Sequence, residues 1–327
     1  MIDTHYDLLS ICYVCYLKND YSKIIEYSNE IKVSGVKKII ANLFFMSEEE
    51  MRNELHDNYH NKDVSILEMF KISKEILESY LSEIEFLYSI EGCDYLSINE
   101  LDDLYNEGLR VILPVWNNTN IYGSGVRGND GLTQEGKELI NKAINLGIGI
   151  DLSHANDKTF FDIIDVIKEN INNGKEVIAL AGHSNSRRLC NIRRNLSDEE
   201  LIALKSVNGY VGVLSNKHFV KCDENSTFKE KSTEYLKHII YISNIIGVDK
   251  VMLSTDDMRY ESDYDPDYLS VPIYNYKTIK NDIEKELLTY FNEEDTNKIL
   301  YDNANLIIEK LKEKRHEKKL WNNRKIW

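Results

Sequence analysis

The chain has 327 residues, 42% of them hydrophobic and 29% charged, the composition of a soluble globular protein with a substantial core. Its 40 Lys and Arg stand against 55 Asp and Glu, a formal charge of −15, which argues against a nucleic-acid partner because phosphate binding draws on Lys and Arg. The five cysteines are odd in number and scattered, so they read as reduced thiols rather than a disulfide framework, and a cytoplasmic location is expected.

The first candidate strand is Ile2–Asp7. The apolar run Leu8 to Leu17 follows, too short for a membrane span and without the basic segment that a signal peptide needs. Cleavage after that run would remove His5 and Asp7, so neither a leader nor a membrane anchor is expected. Cys12 and Cys15 form a CxxC pair inside the run; with no second CxxC to complete a zinc site, they read as core. Further β-branched runs at 37–44, 86–91, 110–115, 147–152, 176–182, 209–214 and 250–254 alternate with segments of helical period. Such alternation describes βα units and a parallel sheet, and eight strands is the count a closed barrel requires. Thr133 is placed to cap a helix running through Ala143, and Ser197 with Glu200 forms a capping box before another. The region 278–319 reads as further helix, and the basic tail of about 310–327 as a solvated end of it. With three prolines and no low-complexity tract, no linker is visible. The expected fold is α/β, a (β/α)₈ TIM-like barrel with additional C-terminal helices, built as a single domain over residues 1–327.

Barrel chemistry collects at the C-terminal ends of strands, and that is where the chemically capable residues fall. His5 and Asp7 end the first expected strand; alternate strand residues share a side, so both can face the barrel mouth. Glu91 ends the third, His154 the fifth and His183 the sixth, and Asp256 follows the eighth. Singly, each has an ordinary explanation, as a solvated strand end or a hydrogen-bonded histidine. Together they supply three imidazoles and three carboxylates, one able to bridge, which suits two divalent ions with positions left open for water. Other patterns lead nowhere. Gly131 to Lys137 spells GxxxxGK but has Glu138 where a P-loop needs Ser or Thr. His316-Glu317 begins an HExxH pattern in which Leu320 replaces the second histidine. His56 and His60 lie in a polar segment, and His218 stands just past the seventh strand.

The runs Asp3-Thr-His-Tyr-Asp7, Ile90-Glu-Gly92, Gly131-Leu-Thr-Gln-Glu-Gly136, Ile150-Asp-Leu-Ser-His154, Gly182-His-Ser-Asn185 and Arg193-Arg-Asn195 resemble, in order, the successive motifs of the membrane (renal) dipeptidase family of metal-dependent amidohydrolase barrels. A weaker echo falls at Asp302-Asn303. The resemblance implies a dipeptidase with two zinc ions, one on His5 and Asp7, the other on His154 and His183, with Glu91 bridging. It implies a hydroxide shared by the metals as nucleophile, Asp256 as the acid/base, and Arg194 as the residue that holds the substrate carboxylate. It also implies tolerance for a C-terminal D-residue, and it allows a homodimer. Two positions depart from the family pattern. Trp116 stands where many members have a histidine, so it either lines the pocket or packs, and the oxyanion role passes to zinc or Asn117. Ser254-Thr-Asp-Asp-Met258 replaces a Ser-Asp-Phe-Asp-Gly signature, leaving Asp257 as an alternative to Asp256. Another peptide-like amide or lactam is the alternative substrate. A non-catalytic binding protein is the third reading; a missing ligand would mark it, and none of the six is missing.

Overall fold

Eight parallel strands are paired in chain order, each with the next, into a nearly closed barrel. The computed structural model describes residues 1–44, 64–223, 225–257 and 272–324, with side chains described through residue 313. The strands are β1 (Ile2–Tyr6), β2 (Lys38–Phe44), β3 (Glu85–Glu91), β4 (Leu109–Leu113), β5 (Gly149–Asp151), β6 (Ala179–Ala181), β7 (Tyr210–Leu214) and β8 (Val251–Ser254). Between and after them run α1 (Leu8–Lys18), α2 (Ser22–Val33), α3 (Ile66–Tyr80), α4 (Leu101–Glu107), α5 (Gln134–Leu146), α6 (Asp157–Asn172), α7 (Asp198–Ser206), α8 (Phe228–Ile246), α9 (Ile279–Leu287), α10 (Glu293–Asn297) and α11 (Asn303–Arg324). All eight expected strands are present. β5 and β6 are shorter than their expected runs mainly at their starts, where Gly147 still caps α5 and residues 176–178 precede the ladder; each also ends one residue early, where 152–156 and 182–186 turn at the barrel mouth.

Local chemistry accounts for the helix starts. The Thr133 side chain accepts from Gly136 N at 2.9 Å and opens α5. Ser197 and Glu200 form the reciprocal capping box of α7, and Thr227 with Glu230 does the same for α8. Cys12 and Cys15 are buried on α1, as expected of core residues, and all five cysteines are free thiols.

Two apolar layers result. The larger lies between the strands and the surrounding helices. The smaller fills the barrel, where Ile2, Ile40, Leu87, Val111, Leu180 and Met252 pack against Ala304, Ile307, Ile308 and Leu311 of α11. The last helix thus plugs the base. Asn303, at its start, donates to Val248 O and Val251 O at 2.8 Å each and pins the plug beside β8. A charged rim surrounds it: Lys38 reaches Glu85 at 2.9 Å and Glu309 at 2.7 Å.

The seam between β8 and β1 is held largely by side chains. Asp3 is fully buried; its carboxylate accepts from Thr255 N (3.0 Å), Thr255 Oγ1 (2.6 Å) and Tyr276 OH (3.0 Å). Thr4 Oγ1 lies within hydrogen-bond reach of Gly182 O and Leu253 O, and Asp256 N donates to His5 O at 3.0 Å. Glycine is needed beneath this seam. A Cβ on Gly212 would stand 2.0 Å from Gly182 O and 2.3 Å from Thr4 Oγ1.

Candidate metal centre

The polar cluster at the mouth is set by strand register. On β3, Leu87 belongs to the barrel interior, so Ser89 and Glu91 rise on the same side above it. On β2, Ile40 is likewise interior, and Asn42 stands above it, paired with Ser89. His5 lies near the top of β1. His154 and His183 occupy the turns after β5 and β6, and Asp256 the turn after β8. His154 and Asp256 adopt left-handed backbone, φ 67° and 48°, a conformation costing non-glycine residues roughly 1 kcal/mol or more and held at functional sites by the surrounding structure.

These side chains converge. Glu91 divides its two oxygens. Oε2 lies 3.0 Å from His5 Nε2, while Oε1 lies 2.8 Å from His154 Nε2 and 3.4 Å from His183 Nε2. Around His5 Nε2, Asp7 Oδ1 stands at 3.6 Å and Asp256 Oδ1 at 3.7 Å. The two distal imidazole nitrogens are 2.9 Å apart, and the His5 and His183 rings stack with centroids 3.8 Å apart. Among the described residues two groups bring their ligand atoms close enough for one ion, His5, Glu91 and His183, and His5, Asp7 and Asp256, and the two share His5.

The donor set fits a divalent metal on two counts. Ligand atoms about 2.0–2.2 Å from a tetrahedral zinc ion stand about 3.3–3.6 Å from one another, close to the spacings found here. The second count is protons. Asn117 Oδ1 lies 2.9 Å from His154 Nδ1, so that nitrogen carries the ring proton and Nε2 turns a lone pair toward Glu91. His5 Nε2 and Glu91 Oε1 are buried at the centre without hydrogen-bond partners, and a cation between them would satisfy both.

Electrostatics agree with that demand. Burial pushes His154 down to about 4, with Arg194 adding to the fall, and burial holds His183 well below the usual imidazole range. Both rings are therefore neutral near pH 7, as a metal ligand must be. Burial opposes protonation of His5 too, but Glu91 and Asp7 outweigh it and raise its pKa. The Asp256 carboxyl is pushed up to about 7 by burial; His5 opposes the rise and Asp7 and Glu91 add to it. Asp257 is fully buried one residue on; burial raises the nearby Tyr276 phenol, with Asp3 and, to a lesser degree, Asp257 adding to the rise. Asp256 Oδ1 stands on the His5 side of the cluster.

Arg194 is 8% exposed and lies beside the cluster; its guanidinium donates to Ser184 Oγ at 2.9 Å and His183 O at 2.8 Å. Its loop is held from outside by Arg187, which forks onto Asp157 (3.0 and 2.9 Å), reaches Glu200 at 3.2 Å and donates to Asn195 O. Trp116 is half-buried between Phe44 and His154, ring centroids 4.9 and 5.9 Å away, and forms one wall of the mouth. Of the remaining histidines, His218 is exposed on the turn after β7. His56 and His60 lie outside the described residues, as does the side chain of His316. His238, which no motif marks, is fully buried on α8; its Nδ1 accepts from Ser186 N at 3.0 Å and braces the turn that follows His183.

Three comparisons bear on this geometry. The family model described as membrane dipeptidase (Peptidase family M19) matches residues 45–321, a span beginning just after β2, so that His5 and Asp7 precede it. A protein encoded in the pqqA 5′ region of Klebsiella pneumoniae is 35% identical over 165 residues, 48% of this chain and 58% of its own length. One in the PQQ-III 3′ region of Acinetobacter calcoaceticus is 32% identical over 175 residues, 50% and 53% of the two lengths. The chain therefore spans little more than half of the relatives it matches. Among solved structures, a metallo peptidase from Rhodobacter sphaeroides, liganded with a phosphinate mimic of the dipeptide L-Ala-D-Ala, superposes with a TM-score of 0.73 at 17% identity, over 95% of this chain and 98% of its own. At that identity the likeness speaks for the fold.

Proposed function

Since the chain belongs to the membrane dipeptidase family, we propose that it is a metal-dependent dipeptidase carrying two zinc ions in the barrel mouth. The observation that carries this reading is the divided Glu91 carboxylate, with one oxygen toward His5 and the other toward His154 and His183. In the proposed assignment His5 and Asp7 hold one ion, His154 and His183 the other, and Glu91 bridges them. Zinc bound there would supply a water of lowered pKa and polarise the scissile carbonyl.

The chain's own residues supply the rest. Arg194 is buried at the edge of the cluster with its guanidinium orientation fixed by Ser184 and His183 O, which suits it to receive the dipeptide's terminal carboxylate. Asp256, facing His5, is placed to accept the proton of the attacking water and return it to the leaving amine. Trp116 and Phe44 pack together along one side of the mouth. A clamp that reads the carboxylate leaves the neighbouring stereocentre unchecked, so dipeptides with a C-terminal D-residue fall within the proposed range. The Rhodobacter neighbour's L-Ala-D-Ala mimic supports their inclusion. Five free thiols support a reducing, cytoplasmic setting, and no described helix is long and apolar enough to cross a membrane.

A second reading keeps the centre and changes the substrate to another peptide-like amide or lactam. It is favoured by Trp116, whose indole puts an apolar wall where a hydrogen-bonding histidine is common in the family. The test is elemental analysis paired with a panel of L,L and L,D dipeptides and non-peptide amides. The expected result is two zinc per chain and dipeptide turnover that falls at least about 100-fold in Glu91→Gln. Two zinc with turnover only of other amides selects the second reading, and protein that cannot be loaded with metal rejects both.

A further inference from the structure

The residue closest to both metal-site carboxylates on β2 carries no charge. Asn42 is completely buried, in the polar layer between the apolar interior of the barrel and the mouth. Its amide nitrogen donates to Asp7 Oδ1 at 2.6 Å and to Glu91 Oε2 at 2.9 Å. Its amide oxygen lies 2.8 Å from Ser89 Oγ, which donates to it across the β2–β3 ladder. Carboxylates can only accept, so the nitrogen must face them and the amide has one orientation. Both N–H groups are thereby used, one on each carboxylate, and the hydroxyl of Ser89 prevents the amide from turning.

We propose that Asn42, locked by Ser89, is a positioning residue that pre-sets Asp7 and Glu91 for the ion held on the His5 side of the centre. The argument rests on the two-metal assignment above. A lysine or arginine between these carboxylates would neutralise them and compete with a cation. A leucine would leave two like charges facing each other in a buried site with no donor between them. An amide orients both and leaves their charge available. The contacts also choose a side: Asn42 bonds the Glu91 oxygen that faces His5, not the one that faces His154 and His183. The opposite half has its own amide, since Asn117 holds His154 through Nδ1. The two halves of the centre are thus oriented by different side chains, Asn42 on β2 and Asn117 in the loop after β4.

The test is zinc titration of metal-free protein by calorimetry, with the visible spectrum of the cobalt-substituted protein as a second readout. Asn42→Leu removes the donors, and the isosteric Asn42→Asp keeps the shape while reversing them. Both variants are expected to weaken, about 10–100-fold, the binding class that Asp7→Asn abolishes, and to alter the corresponding cobalt bands, with the other class unchanged. Asn117→Leu is expected to do the converse. Ser89→Ala, which only frees the amide, should weaken the same class as the Asn42 variants by less, and it keeps the test open if Asn42→Leu does not fold. Equal weakening of both classes, or wild-type binding in Asn42→Asp, would overturn the proposal. Wild-type protein that shows a single class rejects the two-metal assignment itself.

Discussion

A buried arginine with two of its donors already committed is a different group from a surface one. The Arg194 guanidinium is tied to Ser184 and His183 O, and Burial pulls its pKa down while Asp256, Glu91 and Asp151 draw it back. Lysine offers one compact charge and no fork, so it cannot hold Ser184, His183 O and a substrate carboxylate together. On the proposed assignment, Arg194→Lys is expected to raise KM for dipeptides about 10-fold or more with metal content unchanged, measured by steady-state kinetics beside elemental analysis. At this scale the sequence was informative where a residue's place on its strand decided its neighbourhood. His5 and Glu91 lie at the tops of their strands and His154, His183 and Asp256 just beyond theirs, and the structure brings them into one cluster. Asn42 was legible only as a polar interruption in Ile39-Ile-Ala-Asn-Leu-Phe44. Its meaning depends on the register that sets it against Ser89, which a single strand's pattern does not contain.

Among the elements, α7 shows how a helix start can serve a distant site. Ser197 accepts from Glu200 N, and Glu200 returns a bond to Ser197 N at 2.7 Å, as the S-x-x-E pattern implied. The structure adds that Glu200 is buried and also meets Arg187, the residue bracing the loop that carries Arg194. Burial pushes Glu200 up to about 7 despite the pull of Ser197 N and Arg187. The folded chain then keeps this proton to a higher pH than the unfolded chain does, so this carboxyl's stabilising contribution falls as pH rises from the ordinary glutamate value toward 7. Glu200→Gln is expected to flatten the pH dependence of unfolding across that window, a difference of at most roughly 3 kcal/mol, read from denaturant midpoints at pH 5 and pH 8. The strand count was also legible, because each strand is a distinct apolar run. The lengths of β5 and β6 were not, because the chain entering each strand, the Gly147 helix cap and residues 176–178, reads as continuous with it in sequence.

For the molecule as a whole, the barrel has two unlike ends. Its base is apolar and filled by α11, whose Leu311 is fully buried among the interior residues of the barrel. Leu311→Ala is expected to cost about 2–5 kcal/mol of unfolding free energy while leaving the metal content at its wild-type value, since it opens a cavity far from the mouth. Failure of metal loading in a folded Leu311→Ala protein would contradict that separation. The mouth is the reverse: Asp7 and Asp256 crowd around His5, the His154 and His183 rings meet through Nε2, and His154 and Asp256 hold left-handed backbone. Without a cation, many neutral replacements there relieve repulsion. A library selected for heat resistance in a chelating buffer would therefore enrich for barrels that have lost Glu91 or Asp256, and the survivors would be well folded and inert. Selection carried out with zinc present would reverse that pressure, because the ion turns the same crowding into binding energy for the native fold.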